Sequence, residues 1–243
     1  MRGSGHYSGR LTAVLTAMGS ICRQILERRG ITVGGHIYNI GDVFDIAFDS
    51  VSVSEEMLNK LSSEYFSTVS TEAKEQMREV ILDTAKDGDS IGGCVEVAVT
   101  GMPVGIGNHI FGGIENVISS VVFGVPAVKG VSFGAGFDFS FLLGSEANDP
   151  YYFDGDRVVT ATNNCGGIVG GMSTGMPIII KAALKPTPSI FKPQATVNLE
   201  TKENVMLEIK GRHDPCIVPR ALPAVEAAVA VAITMLLAED NAL

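Results

Sequence analysis

Residues 163–190 read NNCGGIVGGMSTGMPIIIKAALKPTPSI, and the interpretation of the whole chain turns on them. Glycines at 166, 167, 170, 171 and 175 let backbone amides approach a ligand closely or let two backbones pack together. Pro177 leads into a β-branched run, Ile178 to Leu184, that reads as a strand. KPTPSI at 185–190 then forms a rigid loop that can hold Thr187 and Ser189 toward phosphate oxygens. The glycines do not make a P-loop, because Gly171 is followed by Met172 and Ser173 where that motif needs lysine and a hydroxyl. Nor is there a dinucleotide fingerprint: Gly134-Ala-Gly136 reaches Phe139 where the third glycine should stand.

The charge around this stretch is uneven. Val158 to Leu199 holds no acid, although a random window of that length would carry about five of the chain's 27, and it contains Lys181, Lys185 and Lys192. Arg2, Arg10 and Arg23 precede the first acid, Glu27, and the acid-free stretch Asn116 to Phe137 contains Lys129. If these segments converge they form a cationic, glycine-rich pocket for a small polyanion. Burial alone also removes acids, and both readings remain open at this point. A net charge of −9 argues against broad nucleic-acid binding.

With 243 residues, 46% of them hydrophobic, the chain can bury a sizeable core, which excludes disorder, and one α+β domain over 1–243 is the economical organisation. Four cysteines without CxxC spacing read as reduced thiols and offer no zinc framework; no metal is expected. MRGSGHYSGR lacks the apolar region of a secretory signal, so a cytoplasmic location is expected. Ala221 to Ala238 is the only candidate membrane span, and Glu226 within it favours a buried core helix.

Helical spacing covers Leu11 to Arg29, Ser54 to Leu61, Ser70 to Lys86 with Ser70 as cap, Ile110 to Phe123 and Leu222 to Ala238. Strand and irregular connection alternate over Ile31 to Phe48, and residues 49–89 read as a solvated peripheral excursion. CVEVAV at 94–99 predicts a strand with one apolar face, the valines. Further strands are expected at Val128 to Phe133, Phe137 to Leu143, Ala195 to Thr201 and Val205 to Lys210, with a turn-rich loop at Asn148 to Arg157.

GRHDPC at 211–216 sets Arg212, His213 and Asp214 in consecutive positions before Pro215: a cation, a titratable ring and a carboxylate at one bend. His6 and Arg10 form a polar cluster ahead of the first helix. His36 and His109 lack such neighbours and read as ordinary surface or connecting residues. Cys165 has no neighbouring base, and the acids at 87, 89, 154 and 156 flank glycines as turn formers.

GHYSGRLTA, DSIGG, GMPVGIG, PAVKGVSFGAGF, NNCGGIVGGMSTG, ALKPTPSI and GRHDPC, in this order, resemble chorismate synthase over most of residues 1–236. The resemblance implies a β-α-β sandwich with helices between antiparallel sheets, a homotetramer, and one pocket for reduced FMN and 5-enolpyruvylshikimate 3-phosphate. The implied reaction is the 1,4-elimination of phosphate that yields chorismate in the shikimate pathway, with a flavin-reducing system and NADP associated. It implies no nucleic-acid or membrane partner.

Carried over residue by residue, the pattern puts flavin contacts at His6, Tyr7, Ser8, Pro126, Ala127, Asn164, Gly170, Lys185, Pro186, Thr187, Pro188, Ser189 and Arg212. Asn163 borders that set. Arg10 and Arg212 are the implied substrate-anion contacts, and Asp214, with Arg212, is the implied catalytic pair, Asp214 handling a proton near flavin N5. His6 stands where many relatives have arginine. GESHG-like, RPGQ-like and RPxHAD-like segments, which carry two general-acid histidines and several arginines in the family, have no match here, so an N-terminal portion is expected to be missing relative to it. A second expectation follows: a flavin-binding or oligomerising unit that is catalytically incomplete.

Overall fold

In the computed structural model, residues 8–209, 211 and 213–243 are described. The chain leaves a 3₁₀ turn, Gly9–Leu11, for α1 (Thr12–Glu27), which crosses to β1 (Thr32–Ile40) and the short β2 (Val43–Phe44). Two helices follow, α2 (Glu55–Ser62) and α3 (Thr71–Lys86), then β3 (Gly93–Thr100), α4 (Ile114–Val122) and β4 (Val128–Phe133). After a 3₁₀ segment at Gly136–Phe141 and the single turn α5 (Gly144–Ala147) come the hairpins β5 (Tyr151–Asp154) with β6 (Arg157–Thr160), and β7 (Ile168–Val169) with β8 (Met172–Ser173). β9 (Ile178–Leu184), the hairpin β10 (Gln194–Asn198) with β11 (Glu203–Leu207), and α6 (Val218–Glu239) complete the chain.

The main sheet is antiparallel, in the order β2-β1-β3-β9-β4. Val33, Ile37, Val95, Val97, Val99, Ile178 and Ile180 point from it into one core shared with α1, α4 and α6. Antiparallel strands with one face on helices explain the alternation in CVEVAV. α6 is apolar on every side and is long and apolar enough to cross a membrane, yet 72% of its most apolar window is buried in this protein core. It begins at Val218, a turn earlier than expected, because Pro219 sits in the first turn, where the missing N–H would have no partner anyway. Pro223 falls further in and removes one helical hydrogen bond. Pro223→Ala is expected to raise the unfolding free energy by about 1 kcal/mol in a urea titration; an unchanged midpoint would show that the helix has already absorbed the defect.

α1 and α6 run in the same direction. Ile91 N–H donates to Pro215 O (2.8 Å) just before α6, at the Gly93 and Leu184 end of the sheet, whereas Asp240 beyond α6 accepts from Gly107 N–H (2.8 Å) past the Thr100 end, where α1 also finishes. Between them Gly19 meets Ala227 so closely that an added Cβ would lie 2.3 Å from the alanine Cβ. The opposite side of α1 carries an exposed stripe, Leu11, Val14, Met18 and Ile21, and no second large sheet covers it among the described residues.

Several expectations are corrected. Ile110 is left-handed (φ 58°), so α4 starts at Ile114. Phe137 to Leu143 is not a strand: Gly134 and Gly136, both at positive φ, turn the chain into the 3₁₀ segment Gly136–Phe141. The loop at 148–157 holds the β5–β6 hairpin, its aromatic run pairing across the Gly155 turn. The second face of β3 is buried as well, with Glu96 2% and Ala98 0% exposed, because α2 and its flanks lie over it. The excursion at 49–89 is therefore partly core, with Leu58 and Met77 fully buried. His36, expected at the surface, is 0% exposed.

Candidate active site

At the Leu184 end of the sheet four segments are tied together. Lys185 N–H donates to Ala127 O (2.9 Å), Ser90 Oγ to Thr187 O (2.6 Å), and Phe191 N–H to Gly88 O (2.9 Å). Pro215 accepts from Ile91, and the Phe191 and His213 rings meet edge to face at 5.0 Å. The loops carrying Pro126–Ala127, Lys185–Ser189 and Asp214 thus share one end of the molecule. The parallel course of α1 and α6 brings Ser8 and Arg10 toward the same end, since Arg10 precedes Gly19 by as many residues as Val218 precedes Ala227.

Two of the residues expected to contact flavin lie at the other end of the sheet from Lys185. Asn164 sits where β4 has ended: Ala135 N–H donates to Asn164 O (2.8 Å) and Gly134 N–H to Ile179 O (3.0 Å), so β9, about 20 Å long, separates it from Lys185. Gly170 caps the β7–β8 hairpin beside Gly107 and the start of α4, also at the far end. His6, Tyr7 and Arg212 lie outside the described residues.

The cationic pocket suggested by charge is narrower than the acid-free windows imply. Lys192 pairs with Asp89 (2.8 Å) and Lys181 lies 3.5 Å from Glu96, while Lys185 has no ion pair among the described residues. Asp214 is gripped by Arg220 Nη1 through both oxygens (2.9 and 2.8 Å). Thr187 Oγ1 and His213 Nε2 are buried with no hydrogen-bond partner among the described residues, and buried polar atoms rarely stay unpaired. Ala127 holds a left-handed backbone (φ 76°), a strain of about 1–2 kcal/mol for a residue with a Cβ.

The far-end turn is built by three acceptors. Asp149 Oδ1 takes Thr162 Oγ1–H and Asn164 N–H (both 2.7 Å), and Oδ2 takes Cys165 N–H (2.9 Å). Burial pushes its carboxyl up, but the donations from Cys165, Thr162 and Asn164 hold it below the usual carboxylate range. Asn163 Nδ2 donates to Ser50 O and Pro177 O (both 2.8 Å), and its Oδ1 accepts from Gly167 N–H (2.7 Å). Gly134 and Gly166 stand back to back: an added Cβ on either would fall within 2.5 Å of the other's backbone nitrogen. These contacts give the NNCGG segment a structural task, with the glycines packing two backbones together.

The profile of the family described as chorismate synthase matches residues 1–237. The chain belongs to the chorismate synthase family. It is 47% identical over 232 residues to a chorismate synthase of Thermococcus kodakarensis, covering 96% of this chain and 63% of the relative. With a chorismate synthase of Methanothermobacter thermautotrophicus it shares 43% over 231 residues, 95% of this chain and 61% of the relative. A crystal structure of chorismate synthase superposes with a TM-score of 0.79 at 27% identity, over 96% of this chain and 64% of that one. The chain thus spans about three-fifths of the length of the curated relatives it matches, and its α+β architecture is the chorismate synthase fold.

His36, expected as an ordinary surface or connecting residue, is fully buried. It bonds Asp45 through Nδ1 (2.7 Å) and Glu96 through Nε2 (3.0 Å) on the outer face of the sheet. The signal in the sequence was a charged residue in the middle of each of two apolar strand runs, for His36 and Glu96 are cross-strand partners.

Proposed function

We propose that the chain serves the conversion of 5-enolpyruvylshikimate 3-phosphate to chorismate and phosphate, with reduced FMN as cofactor, at the Lys185 end of the sheet. The carrying observation is a buried Thr187 hydroxyl with no hydrogen-bond partner among the described residues, two positions from Lys185, which has no ion pair among them, in a loop held by a strained Ala127. A hydroxyl donor, a free ammonium and a positive-φ backbone suit an anionic, oxygen-rich group, so these residues fit the flavin. When bound, reduced flavin supplies an electron transiently and takes up hydrogen, leaving the elimination redox-neutral overall. Lys185 and Arg10 bind and orient anionic oxygens; Thr187 donates to an acceptor. Asp214 handles the proton, and to accept it the carboxylate gives up a bond to Arg220. A homotetramer in the cytoplasm, supplied by a flavin-reducing system, is the setting that goes with this reading.

A second reading is flavin binding or assembly without turnover. Anaerobic titration with reduced FMN and the enolpyruvyl phosphate separates the two. Flavin binding with chorismate release supports the first, and binding without release supports the second. Lys185→Ala is expected to weaken FMN binding about tenfold or more, the worth of one charge-assisted hydrogen bond to phosphate. Unchanged affinity in both Lys185→Ala and Arg212→Ala places the anion site elsewhere.

A further inference from the structure

On the sheet face away from α6, the segment from Asp45 to Ser70 lies over Glu96, Ala98, Ile179 and Lys181. Most of its apolar contacts form a cluster of their own, with Phe48, Leu58 and Leu61 on Ala98 and Ile179, while Phe66 packs with the main core. Leu58 seats directly on Gly34, where an added Cβ would come within 2.9 Å of the leucine Cβ. Polar ties to the rest of the molecule are few. Ile37 N–H donates to Ser67 O (2.9 Å), Asn163 to Ser50 O (2.8 Å) and Arg23 Nη2 to Ser62 Oγ (3.0 Å).

Asp45 N–H also donates to Tyr38 O (2.8 Å) and Glu64 pairs with Lys74, and two further ties meet at His36. Asp45, which receives one ring nitrogen, also accepts from Val69 N–H (2.6 Å) and Ser70 N–H (2.8 Å), closing the segment's far end onto its beginning. Glu96, which receives the other, accepts from Phe48 N–H (2.7 Å). An imidazole facing two carboxylates needs a proton on both nitrogens to satisfy them. The charges around it balance in that state: Asp45 and Glu96 against His36 and Lys181, whose ammonium lies 3.5 Å from Glu96 and 4.2 Å over the Tyr38 ring. Tyr38 is the remaining titratable neighbour, its ring edge-on to the imidazole at 6.3 Å, and Phe48 packs against the His36 ring at 4.5 Å.

We propose that residues 45–70 are a latched flap: the doubly protonated His36 ring is the latch, and its loss frees the flap as a unit while the main core stays folded. Release would widen the partly open cavity of about 200 Å³ between the flap (Ala47, Phe48, Ser50), the sheet (Glu96, Lys181) and the Asn163 turn. It would also break the Asn163 bond to Ser50, so the flap and the NNCGG turn respond together. Burial lowers the proton affinity of His36, but the hydrogen bonds and charges of Asp45 and Glu96 override it and hold the ring above its ordinary 6.5. The latch is therefore complete below that ordinary value and is lost as pH rises through the raised one.

Hydrogen exchange on the full chain tests this, comparing α2 amides and those of Val69 and Ser70 with β3 amides. In the wild type, protection of the flap amides relative to β3 is expected to fall about tenfold or more between about pH 7 and about pH 9.5, after correction for intrinsic exchange. His36→Gln is expected to show the loss at about pH 7 already, with β3 still protected. The proposal is overturned if flap and β3 amides change in step, if the wild type shows no differential loss over that range, or if His36→Gln keeps wild-type protection over α2. Should His36→Gln fail to fold, the wild-type comparison decides alone.

Discussion

Glu226→Gln is expected to gain on the wild type by about 2 kcal/mol between pH 5.5 and pH 8, measured as the difference of urea-unfolding free energies. Glu226 sits on α6 with one oxygen without a partner among the described residues and the other 3.7 Å from Arg23. Burial drives its carboxyl up to about 7, with the Arg23 charge and the Gly35 N–H opposing. Between the ordinary 4.5 and that value the native state keeps a proton that the unfolded chain has released, so stability falls as pH rises. Above the folded value the loss levels near 3 kcal/mol, at about 1.4 kcal/mol per pH unit. The glutamine variant has no proton to lose and follows a flatter curve. Loss of the His36 proton acts in the same direction, but it is common to both proteins and cancels in the difference. Parallel curves for the two proteins would mean that Glu226 is ionised in the folded state.

Gly19→Val is expected to lower the unfolding free energy by about 2–3 kcal/mol. In an exposed helix interior, replacing glycine by alanine gains about 1 kcal/mol. Here the sign reverses, because the new carbon lies 2.3 Å from Ala227 Cβ and 2.4 Å from its Cα, so α1 and α6 must separate. Both helices feed the same core, and the separation opens gaps around Leu26 and Ile233, each fully buried. Adding Ala227→Gly is expected to recover only part of the loss, since the clash with the backbone of residue 227 persists. If Gly19→Val unfolds at the wild-type urea concentration, the helices are not packed as closely as described.

Local signals carried much of the fold. Ser54 and Ser70 cap α2 and α3 through their side chains, so both helices were legible from a hydroxyl ahead of an amphipathic run. The β9 strand and the α1 and α6 helices announced themselves by β-branched composition and apolar spacing. Phe137 to Phe141 failed because its aromatic alternation imitates a strand, while the deciding fact is positive φ at Gly134 and Gly136, and Gly134 is packed against a turn 30 residues later. At the candidate site, Lys185–Ser189, Pro126–Ala127 and Asp214 were found as motifs and do share one end. The placement of Asn164 and Gly170 was not legible, since proximity to a motif in sequence says nothing about which end of a strand it occupies. The ion pairs of Lys181 and Lys192 were hidden for the same reason: Glu96 and Asp89 lie far away in the chain.

The back-to-back glycines at 134 and 166 have a bearing on how such a sequence can drift. Each must itself lack a side chain because a Cβ would run into the other's backbone, and each sits at positive φ, so a first substitution at either position meets a backbone that cannot retreat. A second change cannot compensate, because glycine is already the smallest partner available. The pair therefore has no single-step path out within this fold, and variation near it is channelled into the neighbouring residues whose side chains point elsewhere.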